Sequence, residues 1–154
     1  MDKNPHKDLI VVMSNKHLLN PNLVSAIVET ESSFNTDAIR YEPKYPYLLA
    51  PDVYAVKNKI TVQTEAELQK FSWGLMQVMG AVAREHGYDG YLHRLCRPEL
   101  GLEYGCLHFA KYLRKYNDIK KAISAYNGGP GAIKGDRFKN EKYVNKVMNR
   151  YVER

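Results

Sequence analysis

The chain has 154 residues, of which 44% are hydrophobic and 26% charged, with 10 glycines and 7 prolines. This length suffices for one hydrophobic core, and the composition excludes collagen-like, low-complexity and intrinsically disordered classes. Lys and Arg exceed Asp and Glu by 23 to 17, which favours an anionic partner: nucleic acid, a membrane surface or an acidic polysaccharide.

The positive charge is concentrated in the last third of the chain. Residues 111–154 hold 12 basic and 4 acidic residues, whereas residues 1–110 hold 11 basic and 13 acidic ones. Such an asymmetry is expected of a face that binds a polyanion, and equally of solvated lysines on the outer faces of terminal helices.

Helix signals dominate the chain and strand signals are scarce, which predicts an all-α domain. The first predicted helix begins at Asn20-Pro21-Asn22, and the second runs from a capping box at Thr64–Glu67 toward Phe71. The remaining predicted helices, in chain order, are Gly74–Glu85, Pro98 to about Tyr116, Asp118–Tyr126 and Asn140–Val152. Apolar residues recur along them at helical spacing.

The segment 35–63 interrupts this pattern. It contains three prolines and four tyrosines and shows no sustained period. Segments of this length without regular structure are usually functional or mobile in a compact domain. We therefore expect an irregular aromatic insertion within a single domain that spans residues 1–154.

The chain shows no sign of membrane insertion or of a metal site. No stretch reaches the roughly 18 apolar residues that a membrane-spanning helix needs. The polar start, Met1–Asp8, and the short apolar run Leu9–Met13 do not resemble an export signal. Cys96 and Cys106 lack zinc-ligand spacing and are expected as two buried thiols, with a disulfide left open. No metal or cofactor is expected.

Glu31 is the leading candidate for a catalytic acid. It follows Ile27 by four residues and Val28 by three, so helical geometry places it on the apolar side of its helix. Burial raises the pKa of a carboxyl group and suits it to release a proton near neutral pH. Glu29 lies about 200° around the helix and is expected to face outward. The alternative for Glu31 is a solvated side chain at a frayed helix end.

Two further clusters have the chemistry of a sugar-binding surface. Gly74-Leu75-Met76-Gln77 places an amide beside an apolar thioether. Ala125-Tyr126-Asn127-Gly128-Gly129 brings a phenol and an amide to a helix end where the backbone can approach a ligand closely. Taken singly, each pattern is more often a core methionine or a helix cap.

Together and in this order, Glu31-Ser32-Ser33-Phe34-Asn35, Gly74–Met79 and Ala125–Gly129 resemble the three signature motifs of the soluble lytic transglycosylase (SLT) family. These lysozyme-like enzymes are related to goose-type lysozymes and cleave peptidoglycan. The resemblance covers about residues 22–147 and implies an all-α lysozyme-like fold. The long insertion between the first two motifs is similar to that of phage or prophage members.

The resemblance also implies a mechanism with one carboxylate. Glu31 protonates the glycosidic oxygen between N-acetylmuramic acid and N-acetylglucosamine, and then acts as a base on the muramic acid 6-hydroxyl. That hydroxyl closes onto C1 and gives a 1,6-anhydro product. Ordinary glycosidases use two carboxylates instead.

The same resemblance implies roles for other side chains. Tyr126 is expected to contact or orient Glu31, Met76 to pack along the glycan, and Tyr143 to close the cleft. Gln77 and Asn127 are expected to hydrogen-bond the sugars. Ser32 is expected to brace the helix end rather than touch the substrate.

The insertion leaves a hydrolytic alternative open. Asp37, Glu42 and Asp52 are candidates for a second carboxylate, which would make the chain a hydrolytic lysozyme (muramidase) of the same fold. Glu42 is the first choice because its Tyr and Pro neighbours would fix it. A salt bridge from Glu42 to Arg40 or to a lysine is the alternative for this residue.

A non-catalytic basic module that binds nucleic acid through residues 111–154 is the competing hypothesis from another class. Aromatic residues are not interleaved with arginines there, as stacking platforms require, so nucleic acid is not the expected partner. We expect peptidoglycan glycan strands, bound by a monomer or by a module of a larger phage or secretion assembly. Because no export signal is recognised, action on the cell wall suggests a virion-associated or lysis protein of a phage.

Overall fold

Residues 4–154, the part of the chain that the computed structural model describes, contain eight α-helices and five short β-strands. The helices are α1 (Lys7–Lys16), α2 (Pro21–Ser32), α3 (Pro51–Asn58), α4 (Val62–Leu68), α5 (Gly80–Glu85), α6 (Pro98–Tyr116), α7 (Ile119–Gly128) and α8 (Glu141–Val152). The strands are β1 (Ile39–Tyr41), β2 (Phe71–Trp73), β3 (Val78–Met79), β4 (Ile133–Lys134) and β5 (Arg137–Phe138). The all-α class predicted from the sequence is confirmed. Over the same residues, no helix is long and apolar enough to cross a membrane.

Helix α2 lies in the core because it is apolar on most of its surface. Six consecutive residues, 23–28, are buried, and the helix packs against α1 and α8. The Asn20 side chain caps its start by accepting the backbone N–H of Asn22 at 2.9 Å, and Pro21 occupies the first turn. The predicted helix start at Asn20-Pro21-Asn22 is confirmed.

The last three helices also begin at the residues that the sequence indicates. Pro98 opens α6, and the Asp118 carboxylate caps α7 by accepting the backbone N–H of Lys121 at 2.8 Å. Helix α6 packs against α7, and α7 against α8. Helices α7 and α8 therefore close over the same core that buries α2.

The second motif is not helical, which corrects the predicted helix Gly74–Glu85. Residues 74–77 form a turn between β2 and β3, and α5 begins only at Gly80. Gly74 and Gln77 have φ of +71° and +50°, a left-handed conformation that interrupts a right-handed helix. A Cβ on Gly74 would lie 2.6 Å from the Leu95 carbonyl oxygen. The apolar residues of this run are buried in a turn and two strands. A short apolar run in a sequence does not distinguish this arrangement from a buried helix.

The insertion is not irregular throughout, so the prediction of an irregular segment over residues 35–63 is wrong in part. Segment 35–63 contains β1 and α3, and α4 begins at Val62. The N-cap of α4 is Thr61 rather than Thr64, and its hydroxyl oxygen accepts the Thr64 backbone N–H at 3.1 Å. Elements this short leave little periodicity in the sequence.

Strands β1, β2 and β3 form an antiparallel sheet in that order. The register aligns Arg40, Ser72 and Met79 in one row across the three strands. Alternate residues of a strand point to opposite faces, so the neighbouring Trp73 and Val78 point to the other face, where both are buried in the core. The insertion thus supplies an edge strand to the sheet that carries the second motif.

Cys96 and Cys106 are both free thiols, so the disulfide that the sequence left open is not formed. The expectation of two buried thiols is correct for Cys106 and wrong for Cys96, which is partly exposed. Cys106 is fully buried, and its sulfur lies 4.0 Å from that of Met76. Burial raises the pKa of the Cys106 thiol to about 12. Cys106 is therefore a core residue.

Candidate active site

A cavity of about 1000 Å³ brings residues of all three motifs together with residues of the insertion. From the motifs, its lining includes Glu31, Gln77, Tyr126 and Asn127. From the insertion and the sheet, it includes Arg40, Glu42, Lys44, Tyr45, Tyr47, Ser72 and Met79. Helices α5 and α6 contribute Glu85, His108, Lys111 and Tyr112. The row of Arg40, Ser72 and Met79 therefore faces this cavity.

Glu31 lies in the last turn of α2, at the wall of the cavity. The helix ends one residue later, at Ser32, because Ser33 and Phe34 have left-handed φ of +51° and +63°. Burial raises the pKa of Glu31 from 4.5 to about 7, while the hydrogen bond from Tyr143 and the charge of Arg40 lower it. The expected desolvation of this carboxyl group is confirmed, and the group holds a proton near neutral pH.

Tyr143 of α8 binds the acid directly. Its hydroxyl donates a hydrogen bond to Glu31 Oε1 at 2.5 Å, which joins residues 112 positions apart. Burial raises the pKa of Tyr143 well above 10, so the phenol keeps its proton and remains a donor. The other carboxyl oxygen, Oε2, has no hydrogen-bond partner among residues 4–154. The carboxyl group is thus oriented through one oxygen, and the other is available to a ligand.

Glu29 lies outside the cavity lining and is held by the end of α8. It pairs with Arg154 and lies 3.9 Å from Arg150 Nε. Arg150 also donates from Nη1 to Thr30 Oγ1 at 2.9 Å. The structure therefore separates the two glutamates of α2: Glu31 faces the cavity, whereas Glu29 faces arginines.

Ser32 and Tyr126 connect the motifs to one another. Ser32 Oγ lies 3.0 Å from the Val28 carbonyl oxygen and 2.8 Å from that of Leu75, so it braces the end of α2 against the second motif, as predicted. The Tyr126 hydroxyl donates to the Met76 carbonyl oxygen at 2.6 Å rather than to Glu31. The negative charge of Glu31 nevertheless contributes to raising the pKa of Tyr126, after burial as the main cause.

Met76 does not offer the expected contact with a glycan, because its side chain is fully buried. It packs so closely on Gly105 of α6 that a Cβ there would lie 2.4 Å from its sulfur. The other interpretation that the sequence allowed, a methionine in the core, is the correct one. Its contribution to the site is the backbone carbonyl that holds Tyr126.

Gln77 lines the cavity, but most of its hydrogen-bonding capacity is used within the protein. Its Nε2 donates to the carbonyl oxygens of Ala38 and Gly74, both at 2.9 Å. Its Oε1 accepts from the Ser72 hydroxyl at 3.0 Å. The carboxamide thus ties the insertion to the second motif, and one lone pair of Oε1 is left for a sugar.

Asn127 is exposed at the cavity, and its Oδ1 accepts from Asn140 Nδ2 at 3.0 Å. This leaves the Asn127 Nδ2 donors without a partner among residues 4–154. Glu42 also lines the cavity and forms the salt bridge with Arg40 that the sequence left as its alternative, at 2.9 Å. Asp37 and Asp52, the other candidates for a second carboxylate, lie outside the lining.

Sequence reasoning missed the polar and aromatic side chains that α5 and α6 bring to the cavity. His108 is buried; its Nδ1 lies 3.0 Å from His86 Nε2, and its ring packs on Tyr126 with 5.6 Å between centroids. Burial lowers the pKa of His108 to about 3, so this imidazole is neutral. No motif marks these positions, because only the packing of the two helices brings them to the cavity. Within residues 4–154, no grouping of His, Cys, Asp or Glu is arranged to hold a metal ion.

Comparison with curated protein sequences finds no match. Among solved structures, an inactive mutant of the lytic transglycosylase Slt from Pseudomonas aeruginosa matches with a TM-score of 0.68 and 20% sequence identity. The match covers 97% of the present chain and 24% of the Pseudomonas chain, so the present chain spans about a quarter of that relative's length. At this level of identity, the likeness shows a shared fold.

The family model described as the transglycosylase SLT domain matches residues 8–149. The match contains all three motifs, the cavity that they line and the insertion between them. Since it covers most of the chain, the chain belongs to the transglycosylase SLT domain family.

Proposed function

We propose that this chain is a peptidoglycan lytic transglycosylase that cleaves the β-1,4 bond between N-acetylmuramic acid and N-acetylglucosamine. The observation that carries this proposal is Glu31, a carboxyl group with a pKa of about 7 at the wall of a large cavity. A glycosidic oxygen must be protonated before it leaves, and an acid that is half protonated at neutral pH suits that task. Membership of the SLT domain family supports the same activity.

Glu31 transfers its proton to the glycosidic oxygen, and the bond between that oxygen and C1 breaks. Positive charge then develops at C1, as in other glycosidic cleavages. The Glu31 carboxylate takes the proton of the 6-hydroxyl of the same muramic acid, whose oxygen bonds to C1. The proton returns to Glu31 and no water is consumed, so the cleaved strand ends in a 1,6-anhydro sugar.

Tyr143 and Arg40 support this cycle by stabilising the carboxylate that exists between the two proton transfers. The Tyr143 hydrogen bond and the Arg40 charge both lower the pKa of Glu31, against the effect of burial. A hydrogen bond to an ionised group is stronger than one between neutral groups, so the bond from Tyr143 strengthens when Glu31 loses its proton.

The other motif residues have supporting roles in this proposal. Tyr126 holds the turn of the second motif against α7 through the Met76 carbonyl oxygen. Asn127 offers its unpartnered amide donors to a sugar, and Gln77 offers one acceptor. Tyr143 does not line the cavity, so in place of the expected closure of the cleft its role is to hold the acid through its hydrogen bond.

The hydrolytic lysozyme is the second candidate function, because two more carboxylates line the same cavity. Glu42 is fixed by Arg40, and Glu85 lies on α5. Either would act as the base that activates a water molecule while Glu31 serves as the acid.

Mass spectrometry of the products from purified peptidoglycan distinguishes the two functions. We expect anhydro-muropeptides from the wild-type chain and none from Glu31→Gln. The matched control is Glu29→Gln, a glutamate of the same helix outside the cavity, which should retain activity. Reducing ends that are heavier by one water, and that disappear in Glu42→Gln or Glu85→Gln, would instead establish the hydrolase.

The proposed place of action is the cell wall, where the substrate lies. A phage or prophage origin stays a prediction, supported by the insertion between the first two motifs. The excess of basic residues in 111–154 suits attraction to a wall polymer that carries carboxylates.

A further inference from the structure

Residues 43–48 of the insertion form an arch that is fixed at both ends. At one end, the Glu42 backbone N–H donates to the Lys70 carbonyl oxygen at 2.8 Å. At the other end, the side chain of Gln69 makes two hydrogen bonds to the Leu49 backbone, at 2.8 and 3.0 Å. Because the two anchoring residues, Gln69 and Lys70, are consecutive in the chain, the two ends of the arch lie close together.

The anchor at Gln69 is itself rigidly held. Gln69 is fully buried, and its Nε2 lies within hydrogen-bond distance of Glu65 Oε1, at 3.1 Å. Glu65 forms a buried ion pair with Arg84, whose Nε lies 2.7 Å from Oε1. A buried charge pair with its hydrogen bonds satisfied fixes geometry, so the arch is preorganised rather than free to move.

The arch places one cation and two phenol rings on the cavity. Lys44, Tyr45 and Tyr47 all line it. The rings of Tyr45 and Tyr47 meet edge to face with 5.7 Å between centroids. Tyr47 is 69% exposed, which leaves a ring face open to a ligand.

Helix α6 presents a second cation to the same cavity. Lys111 and the neighbouring Tyr112 line the same cavity. Burial raises the pKa of Tyr45 to about 12, and Glu85 and Tyr112 contribute, which indicates that the arch approaches α5 and α6 here.

The two lysines of this region have no partner for their charge. Neither Lys44 nor Lys111 forms an ion pair with any residue from 4 to 154, in contrast to Arg40, which is paired with Glu42. Glu85 is the carboxylate that lines this part of the cavity, so two ammonium groups stand against one negative charge. A carboxylate forms stronger, charge-assisted hydrogen bonds with an ammonium group than an uncharged sugar hydroxyl does, so two unpaired lysines favour an anionic ligand.

We propose that the arch and helix α6 form a subsite for the peptide stem of the glycan, in which Lys44 and Lys111 bind stem carboxylates and Tyr47 packs on the sugar that bears the stem. This subsite rests on the proposed function, since it recognises the same substrate as the acid. It makes the insertion a determinant of specificity for strands that carry stems over bare glycan.

Steady-state kinetics on two substrates tests the subsite: glycan strands with peptide stems, and the same strands after an amidase has removed the stems. An exposed ion pair contributes little to binding, so each lysine should account for a roughly two- to fivefold change in KM. We expect the double variant Lys44→Ala/Lys111→Ala to raise KM for stem-bearing strands by roughly four- to twenty-five-fold and to leave kcat and the KM for bare strands unchanged.

The matched control is Lys57→Ala/Lys115→Ala, which removes one lysine from the insertion and one from α6, both outside the cavity lining. It should change neither KM. Equal changes for the two substrates in the Lys44/Lys111 variant, or no change in either, would overturn the subsite.

Equilibrium binding to the Glu31→Gln variant separates this proposal from the proposed function. If Glu31→Gln prefers stem-bearing strands and loses this preference when Lys44 and Lys111 are also replaced by alanine, the subsite is supported. This holds even if the wild-type chain cleaves nothing, because absence of cleavage would refute only the transglycosylase activity. Equal binding of both kinds of strand would refute the subsite even if cleavage is observed.

Discussion

The hydrogen bond from Tyr143 to Glu31 should control the pH range in which the enzyme works. The phenol stabilises the ionised carboxylate, so its removal in Tyr143→Phe should raise the pKa of Glu31 above its value of about 7. A hydrogen bond to a charged group contributes roughly 1.5–3 kcal/mol, and the lower figure applies because Glu31 borders an open cavity. With about 1.4 kcal/mol per unit, the expected rise is roughly one unit, to about 8.

The assay is kcat/KM for peptidoglycan cleavage across pH 5 to 9. The alkaline limb of this profile reports the loss of the proton from Glu31 in the free enzyme, so it should move up by roughly one unit in Tyr143→Phe. Below pH 6, the variant should be slower than wild type by roughly tenfold, because the carboxylate formed during the reaction has lost its donor.

Tyr151→Phe is the matched control for this experiment. Tyr151 also lies on α8, outside the cavity lining, and its hydroxyl has no hydrogen-bond partner in the part of the chain described by the structure. It should keep the wild-type profile. An unchanged alkaline limb in Tyr143→Phe, or an equal shift in both variants, would refute the assignment of Glu31 and Tyr143 as the titrating pair.

Three further substitutions test the energetics of the site and its supports by urea unfolding. The folded chain raises the pKa of Glu31 from 4.5 to about 7, so wild-type stability should fall as pH rises through this range. The free energy of unfolding of Glu31→Gln should therefore exceed that of wild type by roughly 3 kcal/mol at pH 8 but not at pH 4. A difference that is the same at both pH values would contradict this. Glu65→Gln leaves the Arg84 guanidinium, 1% exposed, without its charge partner and should cost about 3–5 kcal/mol; a loss below 1 kcal/mol would mean that the pair is dispensable. Gly105→Ala places a Cβ 2.6 Å from Met76 Cβ and should cost about 1–3 kcal/mol and lower activity, whereas Gly131→Ala, with nothing within 4 Å, should do neither.

Several elements could be predicted because their signals are local. Proline at a first turn and a side-chain cap act on adjacent backbone groups, so Pro21, Pro98 and Asp118 mark helix starts in the sequence as they do in the structure. The position of Glu31 on an apolar helix side likewise follows from spacing alone, and with it the raised pKa.

The second motif shows where local signals fail. Its apolar residues are compatible with a buried helix or with buried strands, and the choice depends on what packs against them. The backbone at Gly74 lies against the Leu95 carbonyl group, and Met76 is buried on Gly105 of α6, so a turn and two strands form instead. This is also why Met76 is a core residue.

The tertiary structure alone decided which side chains meet in the cavity. Tyr143 reaches Glu31 across 112 positions because α2 and α8 share one core. The arch faces the same cavity as α6 because Gln69 and Lys70 anchor it and β1 joins the sheet. Length, charge and motifs indicated one basic domain with one acid. Long-range packing decided how that acid is oriented and which lysines border its cavity, because such contacts depend on the positions of whole helices rather than on neighbours in the chain.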